Sequence, residues 1–323
     1  MNEQPHEPVL VDRVTELLAE PGPGVVVDAT IGAGGHARAL LAASPGVHLV
    51  GLDRDPDALE LADRAVADHS DRCDLVHAGY ERLAEVVDPV AAAHGPVRAV
   101  LYDLGVSSMQ LDRGQRGFSF TVDAPLDMRM DPTEGQTAAD LVNALDVEAL
   151  VRLLREGGEE RFPRRIARAI IRARPLATTR QLAEVAAGAV PAAARGRTHP
   201  ATRTFQALRI AVNAELERFS ASLPQALELL APAAPERRGG RVAVLAYHSG
   251  EDRLVKATLA DAAAGCICPP DLPVCGCGRE PAVRLLTRGA ETASDRDAAR
   301  NPRARSVRLR AAERTPAPYE RLP

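Results

Sequence analysis

The stretch Val25-Val26-Val27-Asp28-Ala29-Thr30-Ile31-Gly32-Ala33-Gly34-Gly35-His36 constrains the fold more than any other part of the chain. Three consecutive β-branched residues suit a buried strand of a parallel sheet. The glycines that follow let the backbone turn sharply and approach a ligand before a helix opens near Gly35. Strand, glycine turn and helix in that order make the nucleotide-type cofactor site of a doubly wound α/β fold. Gly32, Gly34 and Ala37 satisfy the loose G-x-G-x-x-G/A pattern. Asp53, closing the next strand over residues 48–53, lies near the spacing of a ribose-binding carboxylate.

Asp28 decides between cofactors. In a dinucleotide site pyrophosphate rests on the helix N-terminus directly after the strand, and a carboxylate there repels it. The same carboxylate attracts the ammonium and sulfonium of S-adenosylmethionine, while Asp53 can accept from the ribose hydroxyls of either cofactor. A plain reading has Asp28 capping the turn and Asp53 the helix after Asp55-Pro56. It explains each acid singly but not two strand-end acids and a glycine turn as a set. A nicotinamide dehydrogenase would share the first two strands, but not an Asp28 so close to pyrophosphate.

At 323 residues the chain exceeds one minimal domain, so a core with a sizeable insertion is expected. An amphipathic helix over 11–19 stops before Pro21-Gly22-Pro23-Gly24. Asp55 and Pro56 provide an N-cap and a first helical residue. A third strand, 73–77, ends before Tyr80, placing that ring where it flanks an adenine or simply packs. A fourth, 97–102, runs into Asp103-Leu104-Gly105-Val106-Ser107-Ser108, a carboxylate and a glycine at the strand end nearest the reacting centre. Residues 111–137 then form an irregular stretch whose length marks a lid or binding loop. Its Phe118 and Phe120 can stack on a flipped base or fill a local core. From 138 to 191 the period is helical, with a capping box from Thr178 to Gln181, and one long helix is expected over 198–219. A fifth strand, 241–247, ends at His248, with Ser249 as N-cap of the next helix. The tail, 301–310, alternates like an edge strand with its basic residues exposed, and disorder is expected past Thr315.

Formal charge is only −4, but its distribution is uneven: residues 152–209 hold thirteen arginines against four acids. Arg164, Arg165, Arg168 and Arg172 fall at helical spacing, which gives one cationic face suited to phosphates. A solvated face is the bland alternative in a chain whose only lysine is Lys256. A non-enzymatic RNA-binding module would explain these arginines but not the glycine turn. No run of about 18 apolar residues suggests a membrane span, and the acidic, proline-rich start is unlike a secretory signal. The expectation is a soluble, cytoplasmic protein. Cys266, Cys268, Cys275 and Cys277 place four of five cysteines within twelve residues. In a cytosolic protein that clustering favours metal over disulfides, and a structural zinc site is expected there, although neither pair has the common two-residue spacing.

Together these motifs resemble the RsmH (MraW) family of bacterial methyltransferases. The resemblance runs from His6 to Arg314. It is carried by residues 28–36, Asp53-Arg-Asp-Pro56, Asp103-Leu-Gly-Val-Ser-Ser108, Arg116-Gly-Phe-Ser-Phe120, Pro125-Leu-Asp-Met-Arg-Met130, Glu159-Glu-Arg-Phe162, His199-Pro-Ala-Thr-Arg-Thr-Phe205, His248-Ser249 with Glu251-Asp-Arg253, and Asn301-Pro-Arg-Ala-Arg305. Met109 stands where the family usually has proline, and Gly250 where it usually has leucine.

The resemblance implies a Rossmann-like, S-adenosylmethionine-dependent methyltransferase sheet with a helical insertion domain. It implies N4-methylation of a cytidine in the decoding region of the 16S rRNA of the small ribosomal subunit. Cofactor contacts then fall on Gly34, Gly35, His36, Asp53, Tyr80, Asp103 and Gln110, alongside Asp28. The expected division is 1–112 and 199–323 for the methyltransferase domain, with 113–198 as a lid and helical insertion that recognises RNA. The RNA-facing surface would comprise the lid, the arginine lobe and the basic tail. A cytosine amine is a poor nucleophile because its lone pair is delocalised into the ring, so the site must orient it and accept its hydrogens. Asp103 and His248 are the catalytic candidates.

Overall fold

The computed structural model describes residues 8–19, 22–105, 114–158, 160–196, 198–266, 268 and 276–319. The chain forms two compact units: Met1–Gly105 with Arg218–Pro323, and Val106–Glu217. These divisions fall at 105/106 and 217/218, not at the expected 112/113 and 198/199, because the chain from 199 to 217 packs with the insertion.

The first unit is a seven-stranded sheet of order β3-β2-β1-β4-β5-β7-β6. Strands β1 (Gly24–Asp28), β2 (Val47–Asp53), β3 (Cys73–His77), β4 (Val97–Asp103) and β5 (Arg241–Ala246) are parallel. Their crossovers carry α2 (Gly35–Ala43), α3 (Pro56–Val66) and α4 (Leu83–His94), after α1 (Val11–Leu18) at the start of the described chain. Val25 and Val27 join the core on one sheet face and Val26 the core on the other, the period of two that a doubly covered sheet requires. All three are fully buried, each contributing roughly 1.5–3 kcal/mol of apolar burial. Helix α3 begins as the sequence indicated: Asp55 Oδ1 accepts the Asp57 N–H at 3.1 Å and Pro56 takes the first position.

The tail departs from the edge-strand expectation. β7 (Arg308–Arg314) pairs antiparallel with β5 on one side and β6 (Val283–Leu285) on the other, so it is interior and largely buried. Arg308 and Arg310 are held by Asp252, at 2.8 and 2.7 Å. Residues 302–306 form a short 3-10 turn instead of a strand, after α12 (Asp295–Arg300). Residues 315–319 are placed, with Ala317 buried.

The second unit is helical: α5 (Ala138–Ala144), α6 (Val147–Gly158), α7 (Pro163–Ala173), α8 (Thr179–Ala189) and α9 (Thr202–Asn213). Its own core gathers Leu150, Leu154, Ile166, Ile170, Leu182 and Leu208. Gly158 permits close approach of α6 and α9, since a Cβ there would lie 2.3 Å from the Arg203 carbonyl oxygen. The single long helix expected over 198–219 is two helices, α9 and α10 (Glu215–Leu229), broken at Ala214 in the left-handed region with φ 48°. The break follows from Asn213: its buried amide accepts the Met130 N–H and donates to the Met128 carbonyl, each at 2.8 Å. That side chain clamps the irregular stretch, and Glu215 turns back onto Arg209 through two 2.8 Å contacts. No helix among the described residues is long and apolar enough to cross a membrane.

Candidate active site

Asp28, Asp53 and Asp103 are the last residues of β1, β2 and β4, three adjacent strands, so the sheet gathers three carboxylates at its carboxyl edge. Between β1 and α2 the chain makes a tight turn: Ile31 N–H donates to the Leu52 carbonyl at 2.9 Å and Gly34 N–H to Ile31 O at 2.8 Å. Gly32 and Gly34 have φ of 52° and 78°, in the left-handed region that a side chain strains. No side chain caps α2, and its first amides have no intrahelical acceptor.

Each acid is held differently. Asp53 accepts the Gly32 N–H on Oδ2 and the Asp55 N–H on Oδ1, both at 2.9 Å, which fixes the turn while each oxygen retains a second lone pair. Burial pushes its carboxyl up to about 6 against the pull of those two amides. Asp28 is only 1 % exposed and lies beneath the turn, accepting from Thr30 N–H at 3.2 Å. Burial pushes it up to about 8, opposed by that amide and reinforced by the charges of Asp103 and Asp53. A cation in the crevice would therefore act on Asp28 through space.

Asp103 is the most elaborated of the three. Its N–H donates to Thr30 Oγ1 at 2.6 Å, its Oδ1 accepts from the Tyr247 hydroxyl at 2.6 Å, and its Oδ2 lies 3.6 Å from His36 Nδ1. His36 Nε2 must donate to the Val9 carbonyl at 2.9 Å, since a carbonyl only accepts, so Nδ1 is the atom turned to Asp103. Burial raises the Asp103 carboxyl above the usual range, with His36 and then Tyr247 drawing it back. Burial, followed by the Asp103 charge, lifts the Tyr247 hydroxyl well above its ordinary value, which keeps it a donor. Tyr247 and Thr30 were not singled out from the sequence. The available signal was Tyr247's place at the carboxyl end of the fifth parallel strand.

The remaining candidates divide. Gly34 and Gly35 form the turn and the first residue of α2; His36 is 6 % exposed and acts as an anchor between Val9 and Asp103. Tyr80, half-buried, meets Tyr102 and Phe219 edge-on at 6.1 and 6.3 Å, a packing role that leaves part of the ring exposed. His248, not Ser249, is the N-cap of α11 (Ser249–Ala262), its Nδ1 accepting from Glu251 N–H at 3.4 Å. Its Nε2 is buried, 3.1 Å from Glu251 Oε1 but without hydrogen-bond geometry. Glu251 Oε2 accepts the Tyr247 N–H at 2.8 Å, so this turn is pinned and the imidazole is a structural part of it. Gln110 lies outside the described residues, as does the rest of 106–113.

In the helical unit Arg164, Arg165, Arg168 and Arg172 are all exposed on α7, opposite buried Ile166, Ala167 and Ile170. Phe118 is buried in that unit's core beneath the Arg116 guanidinium, which removes it as a base-stacking surface. Phe120 is half-buried against His199 and Phe205. Cys266, Cys268 and Cys277 come together, and Cys275 lies outside the described residues.

The model of the MraW methylase family matches residues 3–315. The chain belongs to that family. Among similar MraW-family proteins, the ribosomal RNA small subunit methyltransferase H of Frankia casuarinae is 55% identical over 316 residues, covering 95% of both chains. That of Saccharopolyspora erythraea is 55% identical over 317 residues, 96% of this chain and 93% of the relative. That of Thermobifida fusca is 51% identical over 321 residues, 97% of this chain and 94% of the relative. The match extends through both units of this MraW-family chain, the sheet with its three strand-end acids and the arginine-faced helices alike.

Proposed function

We propose that this protein binds S-adenosylmethionine at the carboxyl edge of β2, β1 and β4 and methylates N4 of a cytidine in the decoding region of 16S rRNA. The observation that carries the reading is the grouping of Asp28, Asp53 and Asp103 around a positive-φ glycine turn. Such a set disfavours pyrophosphate and suits a cofactor bearing a ribose, an ammonium and a sulfonium. The relatives' shared name, ribosomal RNA small subunit methyltransferase H, supports an RNA substrate in the small subunit.

When bound, S-adenosylmethionine supplies an electrophilic methyl group on a cationic sulfur. The chain's residues do the rest. Asp53 accepts from the ribose hydroxyls with the lone pairs its two amide contacts leave over, and those contacts hold it in place beforehand. Asp28, which burial keeps protonated beforehand, contributes negative potential from beneath the turn once the cofactor's cationic groups favour its ionised form. Asp103 Oδ2 is the atom to take a hydrogen from the cytosine amine: burial raises its basicity toward working pH, and Tyr247 fixes its orientation through Oδ1. The arginine face of α7 takes RNA phosphates, and the protein works in the cytoplasm on small-subunit particles.

Nucleoside mass spectrometry of 16S rRNA from cells lacking the gene tests the substrate. Loss of an N4-methylated cytidine, restored by the wild-type gene but not by Asp53→Ala, supports the reading. An unchanged nucleoside profile would rule it out.

A further inference from the structure

The connection between α11 and β6, residues 263–282, is long for one inside a compact unit, and its described residues form no helix or strand. Among its described residues none is a fully buried apolar side chain before Ala282, and only Ala263 packs against the core. Arg279 ties one end by donating to the Asp261 carbonyl at 2.7 Å. At the other contact point three cysteine sulfurs converge: those of Cys266, Cys268 and Cys277 all lie within 4.8 Å of one another.

The sulfur geometry is specific. Cys266 Sγ and Cys277 Sγ are 3.8 Å apart, far longer than a disulfide of about 2.05 Å. Sulfurs bound to one zinc at about 2.3 Å in a tetrahedron are separated by about 3.8 Å. The Cys268 N–H also donates to Cys266 Sγ at 3.4 Å, which orients that sulfur toward its neighbours. Three sulfurs gathered this close offer one set of soft donors to a single ion, and zinc binds such a set as thiolates. Gly278, with φ 61°, turns the chain immediately after Cys277.

We propose that Cys266, Cys268 and Cys277 bind one zinc ion that ties the chain just after α11 to the chain that leads into β6. Soft thiolate donors and tetrahedral spacing select zinc over magnesium, calcium or manganese. Cys73 lies in β3, at the edge of the sheet opposite β6, and has no part in it.

The test uses full-length protein purified without chelator. Elemental analysis should find one zinc per chain, retained by Cys73→Ser and reduced to background in the Cys266→Ser, Cys277→Ser double variant. Because that variant can misfold, the wild type is also stripped with chelator under reducing conditions and given zinc alone. Protease cleavage within 263–282 and the thermal midpoint should worsen on stripping and recover on readdition. Cobalt in place of zinc should give sulfur-to-metal charge-transfer absorption. Metal-free protein that takes up no zinc, zinc that persists in the double variant, a disulfide detected by thiol counting, or iron or copper(I) in zinc's place would each overturn the proposal.

Discussion

Replacing Arg164, Arg165, Arg168 and Arg172 with glutamine isolates the electrostatic part of RNA binding. All four are exposed on one side of α7, while Pro163, Ile166, Ala167 and Ile170 bury the other, so the helix should keep its packing. Among the described residues only Arg164 forms an ion pair, with Glu148 at 3.5 Å, and that pair is exposed on both sides and contributes little. Each phosphate contact lowers the slope of log K against log salt by about 0.7 on single-stranded and 0.9 on duplex nucleic acid. Four lost contacts should therefore flatten the slope by about 3. Raising salt fourfold, from about 50 to 200 mM, should then cost the wild type about 50- to 150-fold more affinity than the variant. The assay is fluorescence anisotropy with a small-subunit RNA fragment across a salt series. Affinity for S-adenosylhomocysteine should not change, because the strand-end acids belong to the other unit. Methyl transfer should fall through weaker substrate binding and recover at low salt. A quadruple variant with the wild-type slope would refute the phosphate-contact reasoning and leave these arginines as a solvated face.

Asp53→Ala should weaken S-adenosylhomocysteine binding by about 1.5–3 kcal/mol, the loss of hydrogen bonds to a charged group, and should also lower stability because the Gly32 and Asp55 amides lose their acceptor. Calorimetry on the folded variant decides it; unchanged affinity removes Asp53 from the site. Asp28, raised by burial to about 8, binds a proton in the folded protein across a range where the unfolded chain does not, so it makes stability fall as pH rises from about 4 to about 8, by up to about 1.4 kcal/mol per unit. Asp28→Asn should remove that slope in denaturant titrations, and parallel wild-type and variant curves would contradict it. The same variant should weaken S-adenosylhomocysteine more than adenosine, and equal losses would sink the electrostatic role. Tyr247→Phe deletes the donor that stabilises the Asp103 carboxylate, so the acidic limb of the methylation rate should move to higher pH; a stationary limb would make Tyr247 mere packing.

The sheet was legible because its signals are local. Three adjacent valines, a glycine turn and an Asp-Pro helix start each specify backbone conformation within a few residues, and the strand ends then locate Asp28, Asp53 and Asp103. What escaped depends on partners distant in sequence. The tail's alternation was visible, but whether β7 lies at an edge depends on β6, whose three residues carry no strong pattern of their own. The break at Ala214 depends on Asn213 reaching a loop more than eighty residues earlier, which helical periodicity cannot register. Capping at α11 moved from Ser249 to His248 because Glu251 closes a capping box with the imidazole, a role serine usually takes. Tyr247 became a site residue only once β4 and β5 stood side by side and brought its hydroxyl to Asp103.

Purified protein, S-adenosylmethionine carrying a labelled methyl group and small-subunit particles from cells lacking this activity give the most direct test of the central claim. Nucleoside digestion and mass spectrometry of the 16S rRNA should find the label on N4 of one cytidine, located by nuclease mapping to the decoding region, with about 10- to 150-fold less transferred by the Asp53→Ala variant at limiting cofactor. Label on a ring carbon, on another base, or on protein would contradict the account, as would transfer unaffected by the loss of Asp53.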